Sequence, residues 1–311
     1  MYASRAKFLF LSCCFFLAVS CRRDTRSRAP DTTSSTSQPI PAVSQLPVNT
    51  GWQETEAGPV ILVSSVDNPA VTSVVIPHMT DSALAAERGL IADSLSGMSF
   101  DLFAGSGKSA TGRIARRAPS TALEGCLAWP QMALELDSQN VWRVGFRRGM
   151  ATSLTLDSLE DFSSADSAAA TAELARLASA INVSNDPAFQ GLPFIIRKAY
   201  RITSGRSSFL IGDIVRRIPQ EATPREEHLL LIAEKSLSDG NRYQTVFETR
   251  ASGSEDLVRT SEILAAVRFV NGGRVALIVS FEYENGGRIV LIERMAPFQW
   301  KLTWRSAYTG C

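Results

Sequence analysis

The chain has 311 residues, with 32 Lys and Arg against 31 Asp and Glu, so its formal net charge is only +1. Hydrophobic residues make up 45% of the composition, which is typical of a globular protein with a substantial core. The charge balance argues against a nucleic-acid-binding protein, which would carry a strong basic excess, and the length suffices for one large or two ordinary domains.

The N-terminus has the layout of an export signal. Arg5 and Lys7 precede an apolar run from Phe8 to Val19, and small residues then lead up to Cys21. A basic start, a short apolar stretch and small residues before a cleavage point are typical of a secretory signal peptide. The apolar run is shorter than the roughly 20 residues that a transmembrane helix needs, so the sequence predicts export without a permanent span.

Residues 17–21, Leu-Ala-Val-Ser-Cys, resemble the lipobox of bacterial lipoproteins, with Ala18 at the position where Leu is commonest. In that family the cysteine, here Cys21, is lipidated and becomes the mature N-terminus. Residue 22 is Arg, whereas Asp at this position favours inner-membrane retention in enterobacterial-type lipoproteins. The resemblance therefore implies a protein anchored by lipid to the outer membrane, facing the periplasm or the cell surface.

The five cysteines divide by position. Cys13 and Cys14 lie in the signal and Cys21 is the predicted lipidation site, which leaves Cys126 and Cys311 as a pair. Because an exported protein matures in an oxidising compartment, we predict a disulfide between these two. The alternative is two unrelated thiols.

Composition divides the chain into four consecutive segments. We predict a signal peptide over 1–20, a disordered tether over 21–51, a first α+β half over 52–160 and a second over 161–311. The tether is rich in Ser, Thr, Pro and Arg and cannot bury enough apolar surface to fold. The predicted fold class is α+β: mostly antiparallel sheet, one or two packed helices, and a C-terminal β-meander.

The elements follow in chain order from residue patterns. Helices are predicted over 83–95, with an N-cap at 80–82, and over 166–182, where Leu174, Leu177, Ala178 and Ile181 form one apolar stripe. Strands are predicted over 59–63 and 71–76, and hairpins from 100–104 with 110–117, 134–136 with 141–146, 194–202 with 209–218, and 228–234 with 243–249.

The C-terminal region has the strongest pattern. The near copies Val270–Val275 and Glu284–Ile289 each contain Asn-Gly-Gly-Arg, which predicts two-residue hairpin turns with positive φ angles. Alternation over 275–284 predicts one buried and one mostly solvated face. In the last strand we expect Phe298, Trp300, Leu302 and Trp304 to point inward together.

Two similar octapeptides are the evidence for a possible internal duplication. Gly112–Pro119 and Gly212–Pro219 match at five of eight positions, and each follows a predicted hairpin turn containing Gly. Two interpretations stay open at this point: two related α+β halves, or one extended sheet with helices on a face.

Few residues point to chemistry, and each has a structural alternative. Gly105–Ser109 resembles the end of a phosphate-binding loop but has Leu102 where the motif needs Gly, which favours a hairpin turn and no nucleotide partner. His228 could act with Glu227 as an acid–base pair, although such a cluster more often introduces a buried strand. His78 and His228 have no second ligand at useful spacing, so we predict no metal site and no cofactor.

Two further groups have both a ligand-binding and a structural interpretation. The doublets Arg116-Arg117 and Arg216-Arg217 could bind an anion, but salt bridges are the default. Four tryptophans could line a ligand groove, but core packing is favoured: Trp129, Trp142, Trp300 and Trp304.

The functional hypothesis is a non-enzymatic binding or envelope-assembly module. It assigns no catalytic residue and expects a membrane contact through the lipid, with an envelope protein as partner. The alternative is an exported hydrolase acting on an envelope polymer or a small ester. That alternative needs a pocket joining His228 or His78 to a carboxylate and a hydroxyl.

Overall fold

The computed structural model describes residues 51–65, 68–86, 93–119, 125–181, 186–219, 223–238 and 242–311. The predicted signal peptide, Cys21 and the predicted tether up to residue 50 lie outside these residues. Within them antiparallel strands dominate and helices are few, which confirms the mainly antiparallel sheet. Among the helices described, none has the length and apolar character needed to cross a bilayer.

The α-helices are α1 (Glu54–Ala57), α2 (Asp81–Ala86) and α3 (Ser164–Ala180). α3 is the predicted amphipathic helix, and its residues Leu174, Leu177 and Ala178 are buried. Its first turn is capped by Ser163, whose hydroxyl accepts a hydrogen bond from the Asp166 amide at 3.2 Å. α2 begins at Asp81, within the predicted N-cap and before the predicted start at Ala83, and the rest of that helix prediction lies partly outside the described residues.

The first six strands are β1 (Ile61–Ser64), β2 (Val71–Val75), β3 (Ser99–Ala104), β4 (Gly107–Arg117), β5 (Gln131–Leu136) and β6 (Val144–Arg147). They close into a barrel in the order β1-β2-β5-β4-β3-β6. Its interior is filled: a Cβ on Gly145 would lie 2.7 Å from Leu102 Cδ2 and 3.1 Å from Leu62 Cβ.

The predicted hairpin between 134–136 and 141–146 is wrong. β5 pairs with β2 and β4, whereas β6 pairs with β1 and β3. Closure of the barrel explains the difference, since each strand gains two partners and no edge remains exposed.

The remaining strands are β7 (Ala151–Leu154), β8 (Asp157–Ser158), β9 (Ile195–Ser204), β10 (Ser207–Ile218), β11 (Arg225–Ser236), β12 (Gln244–Ser254), β13 (Thr260–Phe269), β14 (Val275–Tyr283), β15 (Gly286–Ala296), β16 (Gln299–Arg305) and β17 (Thr309–Gly310). The outer sheet has the order β12-β11-β10-β9-β8. The middle sheet has the order β16-β15-β14-β13-β7, with β17 also paired to β15. The predicted hairpins β9–β10 and β11–β12 and the meander β13–β16 are confirmed.

The middle sheet is covered on both faces. One face packs on the barrel, where Phe146 and Phe269 have ring centroids 5.5 Å apart, and the other packs on the outer sheet, where Phe209 and Trp300 are 5.2 Å apart. α3 covers the far face of the outer sheet through Leu174 and Leu177. The expectation of a solvated face over 275–284 is therefore wrong for the first part of β14, where Ala276 and Ile278 lie in the core shared with the barrel.

The last long strand also departs from simple alternation. Trp300 lies in the core against the outer sheet, but Trp304 lies in the core against the barrel. The register shifts between β15 and β16, so that Trp304 pairs with Leu291 while Leu302 pairs with Ile292. A β-bulge at this shift moves the following side chains to the opposite face.

The two Asn-Gly copies fold into different turns. In the first, Gly272 and Gly273 have φ of 95° and 66° within a four-residue loop, so the two-residue turn is wrong there. In the second, Tyr283 pairs with Gly286, which makes Glu284 and Asn285 the two-residue loop. Gly286 instead permits close packing, because a Cβ there would lie 2.0 Å from the Thr309 carbonyl oxygen on β17.

The predicted disulfide between Cys126 and Cys311 is present, with its cysteines 185 residues apart in sequence. Next to it, Leu127 and Gly310 exchange backbone hydrogen bonds of 2.9 and 2.8 Å. The chain end is thereby fastened to the segment that precedes β5.

The two matching octapeptides occupy similar local positions, each on the second strand of a hairpin, β4 and β10. Their surroundings differ, since β4 lies in the closed barrel and β10 in the outer sheet. The relation between two halves stays a prediction.

Candidate functional site

The polar residues singled out in the sequence meet at one end of the outer sheet. The β10–β11 pairing places Arg216 opposite Glu227 and Arg217 opposite Glu226. Because adjacent residues of a strand point to opposite faces, one pair lies on each face of the sheet. Arg216 and Arg217 therefore form two ion pairs with Glu227 and Glu226, as the salt-bridge interpretation of this doublet predicts.

The face towards α3 carries a buried ion pair. Arg216 Nε donates to Glu227 Oε2 at 2.7 Å, and Arg216 Nη1 donates to the Phe189 carbonyl at 2.8 Å. The guanidinium also lies 4.5 Å from the centre of the Phe194 ring. Arg250 approaches the same carboxylate at 3.6 Å. These residues fix the end of the sheet and leave no open surface on Arg216.

The opposite face carries His228, which is 3% exposed. Its Nε2 lies 2.6 Å from Glu226 Oε2, so the pairing with Glu227 that the sequence allowed is not formed. The reason is strand alternation, which puts residues 226 and 228 on one face and 227 on the other. Since a carboxylate only accepts hydrogen bonds, this contact fits the tautomer with the proton on Nε2.

Asp213 lies on the same strand face as Arg217, and it is 7% exposed. Among the described residues no side chain or amide donates a hydrogen bond to its carboxylate. Burial raises the pKa of Asp213 above its ordinary value, and the positive charges of Arg197 and Lys198 offset only part of that effect. Asp213 is thus a buried carboxyl group in an unfavourable position for its charge.

The other residues considered as site candidates in the sequence lie on exposed loops and strands or in the cores. His78 is exposed in the loop after β2 and is not part of the His228 cluster, while Gly105–Ser109 forms the β3–β4 turn and the start of β4. Arg116 and Arg117 are exposed on β4. All of the tryptophans considered are buried in the cores, namely Trp129, Trp142, Trp300 and Trp304.

A second polar cluster was not predicted from the sequence. We call it the arginine–tyrosine cluster, and it consists of Arg259, Arg288, Arg305, Tyr283, Tyr308 and Asp81. It lies at the end of the middle sheet where the chain terminates. Arg259 precedes β13, Tyr283 ends β14, and Arg305 ends β16.

Strand register brings these side chains together. Phe281 and Tyr283 lie two residues apart on β14 and both contact the core shared with the outer sheet. On the same face, Arg305 pairs with Val290 of that core. Tyr308 packs edge-on against Tyr283 with ring centroids 6.0 Å apart, in the segment that the disulfide fastens.

Arg259 is 5% exposed and has no carboxylate partner among the described residues. Its Nη2 donates to Thr249 Oγ1 at 2.9 Å, and its guanidinium lies 4.3 Å from the centre of the Phe281 ring. Burial lowers the pKa of Arg259, and Tyr283 counteracts part of that change. A buried guanidinium that faces only hydroxyl and aromatic groups is poorly compensated.

Arg305 and Arg288 complete the cationic side of the cluster. Burial and the neighbouring Arg288 charge lower the pKa of Arg305, with Asp81 and Tyr283 acting in the opposite direction. Arg288 Nη2 donates to Asp81 Oδ2 at 2.9 Å. Asp81 Oδ1 also accepts from the Tyr308 amide at 2.8 Å. The single carboxylate of the cluster is therefore already engaged.

Unsatisfied atoms distinguish the two polar regions. Four buried side-chain nitrogen or oxygen atoms of the described residues lack a hydrogen-bond partner: Glu226 Oε1, Arg250 Nη1, Arg259 Nε and Arg305 Nε. The first lies 2.5 Å from Arg217 Nε and the second 3.6 Å from Glu227, so each faces an opposite charge. Arg259 Nε has no such counterpart in the described part of the chain, and the carboxylate near Arg305 is that of Asp81, which already pairs with Arg288.

Surface depressions lie elsewhere. One, of about 480 Å³, is lined by Glu173, Arg176, Lys235, Arg242 and Tyr243, and another, of about 330 Å³, contains Arg113, Glu135, Asp137 and Arg148. Both are open and shallow. Neither includes His228 or the arginine–tyrosine cluster.

The arginine–tyrosine cluster is rich in donors and poor in acceptors, which suits the binding of an anion. From the sequence, the register of the β14–β15 hairpin could have placed Arg288 near the end of β14. No local pattern in the sequence links Arg259 or Asp81 to this cluster. The chain matches no protein-family model, no curated protein and no solved structure.

Proposed function

We propose that this chain is a lipid-anchored cell-envelope protein whose globular part is a non-enzymatic binding or assembly module. The observation that carries the proposal is the sequence pattern of an export signal over residues 1–20, followed by Cys21 at the end of a lipobox-like sequence. The disulfide between Cys126 and Cys311 supports it, because such bonds persist in oxidising compartments outside the cytoplasm.

The arginine–tyrosine cluster is the part of the molecule best suited to binding. It combines arginine donors without carboxylate partners and aromatic rings, a combination typical of recognition surfaces. The proposed location is the outer membrane, facing the periplasm or the cell surface, with an envelope component as the partner. The tether would let the folded part reach that partner while the lipid stays in the membrane.

The test is the intact mass of the protein purified from its native membrane, compared with a Cys21→Ser variant. We expect a mass that begins at Cys21 and includes acyl chains, and we expect the variant to be released as a soluble protein. A wild-type mass without acyl chains would contradict the anchoring part of the proposal.

The alternative function is an exported hydrolase, for which the His228–Glu226 contact of 2.6 Å is the favourable observation. Its test is the hydrolysis of a chromogenic ester by the wild type and by His228→Ala, with Glu173→Gln, which breaks a surface ion pair on α3, as the control. Activity that disappears with His228→Ala but persists in Glu173→Gln would support the enzyme over the binding module.

The finer prediction about the fold is also a proposal: an α+β protein with related halves over 52–160 and 161–311. Its support is the five-of-eight match between Gly112–Pro119 and Gly212–Pro219, each on the second strand of a hairpin. An experimental structure in which the two hairpins and their flanking helices superimpose would support it, and unrelated helix positions would contradict it.

A further inference from the structure

We infer that the arginine–tyrosine cluster is a binding site for a phosphate group carried by a ligand of this protein. The inference rests on the proposed binding function and names the chemical class that the cluster would recognise. The site would use Arg259 and Arg305 as direct ligands, Tyr283 as a hydroxyl between them, and Arg288 as a third positive charge.

The first argument is the state of the two guanidinium groups. Arg259 is 95% buried, yet its Nε lacks a hydrogen-bond partner, and the same is true of Arg305 Nε. Leaving a buried donor unpaired lowers the stability of the folded state, and the loss is larger for a charged group. Two such donors beside the same tyrosine are difficult to explain by folding alone, because apolar residues of similar volume would pack there without that cost.

The second argument is the local charge. Arg288 and Arg305 lie near the carboxylate of Asp81, and Arg259, which lies beside Tyr283, has no carboxylate partner among the described residues, so the six residues of the cluster carry two more positive than negative charges. A phosphate monoester carries about −1.5 to −2 at neutral pH, so one such group would balance the cluster. A single carboxylate would balance only half of the excess.

The third argument is the arrangement of the donors. Arg259 approaches from the loop before β13, Arg305 from the end of β16, and Tyr283 from the end of β14. Donors from three separate elements suit a tetrahedral group that presents three acceptor oxygens, whereas a planar carboxylate is best met by one two-pronged arginine. Arg305, Tyr283 and Tyr308 are only partly buried, so the cluster reaches the protein surface on their side.

The C-terminal segment also belongs to the site. Tyr308 packs between Tyr283 and Arg288, and its amide is held by Asp81 at 2.8 Å. The disulfide at Cys311 fastens this segment three residues further on. The covalent bond therefore stabilises one wall of the proposed phosphate site.

The experiment is a titration of the purified full chain with inorganic phosphate and with glycerol 3-phosphate, followed by calorimetry and by the thermal unfolding midpoint. Ionic strength is kept constant with chloride, because general screening also alters surface electrostatics. Vesicles of phosphatidylcholine with and without phosphatidic acid form a separate arm, which distinguishes a lipid headgroup from a soluble phosphate as the source.

The variants are Arg259→Met and Arg305→Met, and the matched control is Arg176→Met, which removes an exposed arginine from α3. We expect saturable binding to the wild type and to the control, and a loss of about tenfold to a hundredfold in affinity in each cluster variant. Because Arg259 has no ion pair to lose, its variant should remain folded, so a loss of binding would not reflect unfolding.

The outcomes separate this inference from the proposed function. No binding of either phosphate compound or of phosphatidic acid vesicles to the wild type, or equal binding by Arg259→Met and Arg305→Met, would overturn the phosphate site. The mass measurement at Cys21 is independent of that result. If the protein is lipidated but does not bind phosphate, the envelope proposal is supported and the phosphate site is not. If the protein is not lipidated but binds phosphate, the phosphate site is supported and the anchoring proposal is not.

Discussion

Arg216 and Arg259 are buried to almost the same extent, 6% and 5% exposed, but they occupy opposite electrostatic environments. Arg216 has a carboxylate, a carbonyl and an aromatic ring around it, contributed by Glu227, Phe189 and Phe194. Arg259 has a hydroxyl and two aromatic residues and no carboxylate in the described structure. The charged end of the outer sheet is therefore complete by itself, and the arginine–tyrosine cluster is not.

The same contrast exists between two buried carboxylates. Glu234 accepts hydrogen bonds from Arg294, from Trp300 Nε1 at 3.2 Å and from the Phe298 amide at 3.1 Å. Burial alone would raise the pKa of Glu234, but these donors outweigh it and the pKa is lowered. Asp213 has no such donors and its pKa is raised. Paired charges act as structural supports, whereas unpaired ones are the candidates for function.

The largest expected effect comes from removing the covalent support of the arginine–tyrosine cluster. With both Cys126 and Cys311 replaced by Ser, the loop-entropy model gives a loss of about 5 kcal/mol in the free energy of unfolding, because 185 residues separate the cysteines. Urea denaturation measures this loss. Hydrogen exchange should show loss of protection around Leu127 and Gly310 before any change around His228, and uniform loss would contradict the local role of the bond.

The next effect concerns the complete cluster. Glu227→Gln leaves the buried Arg216 and the partly buried Arg250 without their carboxylate, which we expect to cost about 3–5 kcal/mol. Urea unfolding is the measurement, with Glu173→Gln as a control that breaks a surface pair with Arg176. A Glu227→Gln protein as stable as this control would mean that the ion pair contributes nothing to the fold.

A smaller effect of opposite sign is expected for Asp213→Asn. The folded-state pKa of Asp213 is raised, so the ionised carboxylate lowers stability at neutral pH, and that cost disappears as the pH falls through the folded pKa. The variant should therefore be more stable than the wild type at pH 7, with the difference shrinking on acidification.

Glu234→Gln provides the matched control for that pH profile. Because the pKa of Glu234 is lowered in the folded state, its stabilising effect is present above its ordinary value of 4.5 and is lost as the pH falls through the folded pKa. Its variant should be destabilised at pH 7 and approach the wild type in acid. If the free energy of unfolding of Asp213→Asn and that of Glu234→Gln changed with pH in the same way, the predicted difference between the two carboxylates would be contradicted.

The smallest effect on stability is expected for Arg259→Met. Replacement of a buried arginine that has no carboxylate partner should change the free energy of unfolding by no more than about 1 kcal/mol. Chemical denaturation in phosphate-free buffer is the measurement. A loss as large as that of Glu227→Gln would show that Arg259 is a structural residue with unrecognised support, and it would remove the main argument for the phosphate site.

The elements of the fold were predictable wherever a local pattern specifies them. α3 follows from the spacing of Leu174, Leu177 and Ala178, and the hairpins β9–β10 and β11–β12 follow from short turns between apolar runs. The disulfide between Cys126 and Cys311 follows from counting cysteines outside the predicted signal. In each case the decisive interaction lies within a few residues, or only one partner remains.

Several of the errors involve contacts between distant segments. β6 pairs with β1 because the barrel closes, Trp304 changes face because a bulge shifts its register, and Gly286 is needed because β17 packs against it. Residues 275–284 look half-solvated in the sequence, but two layers cover the first part of β14.

The sequence by itself determined the local identity of most strands and helices, because these depend on composition and on neighbours along the chain; the export signal and the tether stay predictions of the sequence. Only the tertiary structure decided which charges have partners. Arg216 finds Glu227 across a hairpin, but Arg259, Arg305 and Tyr283 meet through register, a bulge and the chain end held by Cys311. Charge compensation depends on distance in space, which residue spacing along this chain does not specify.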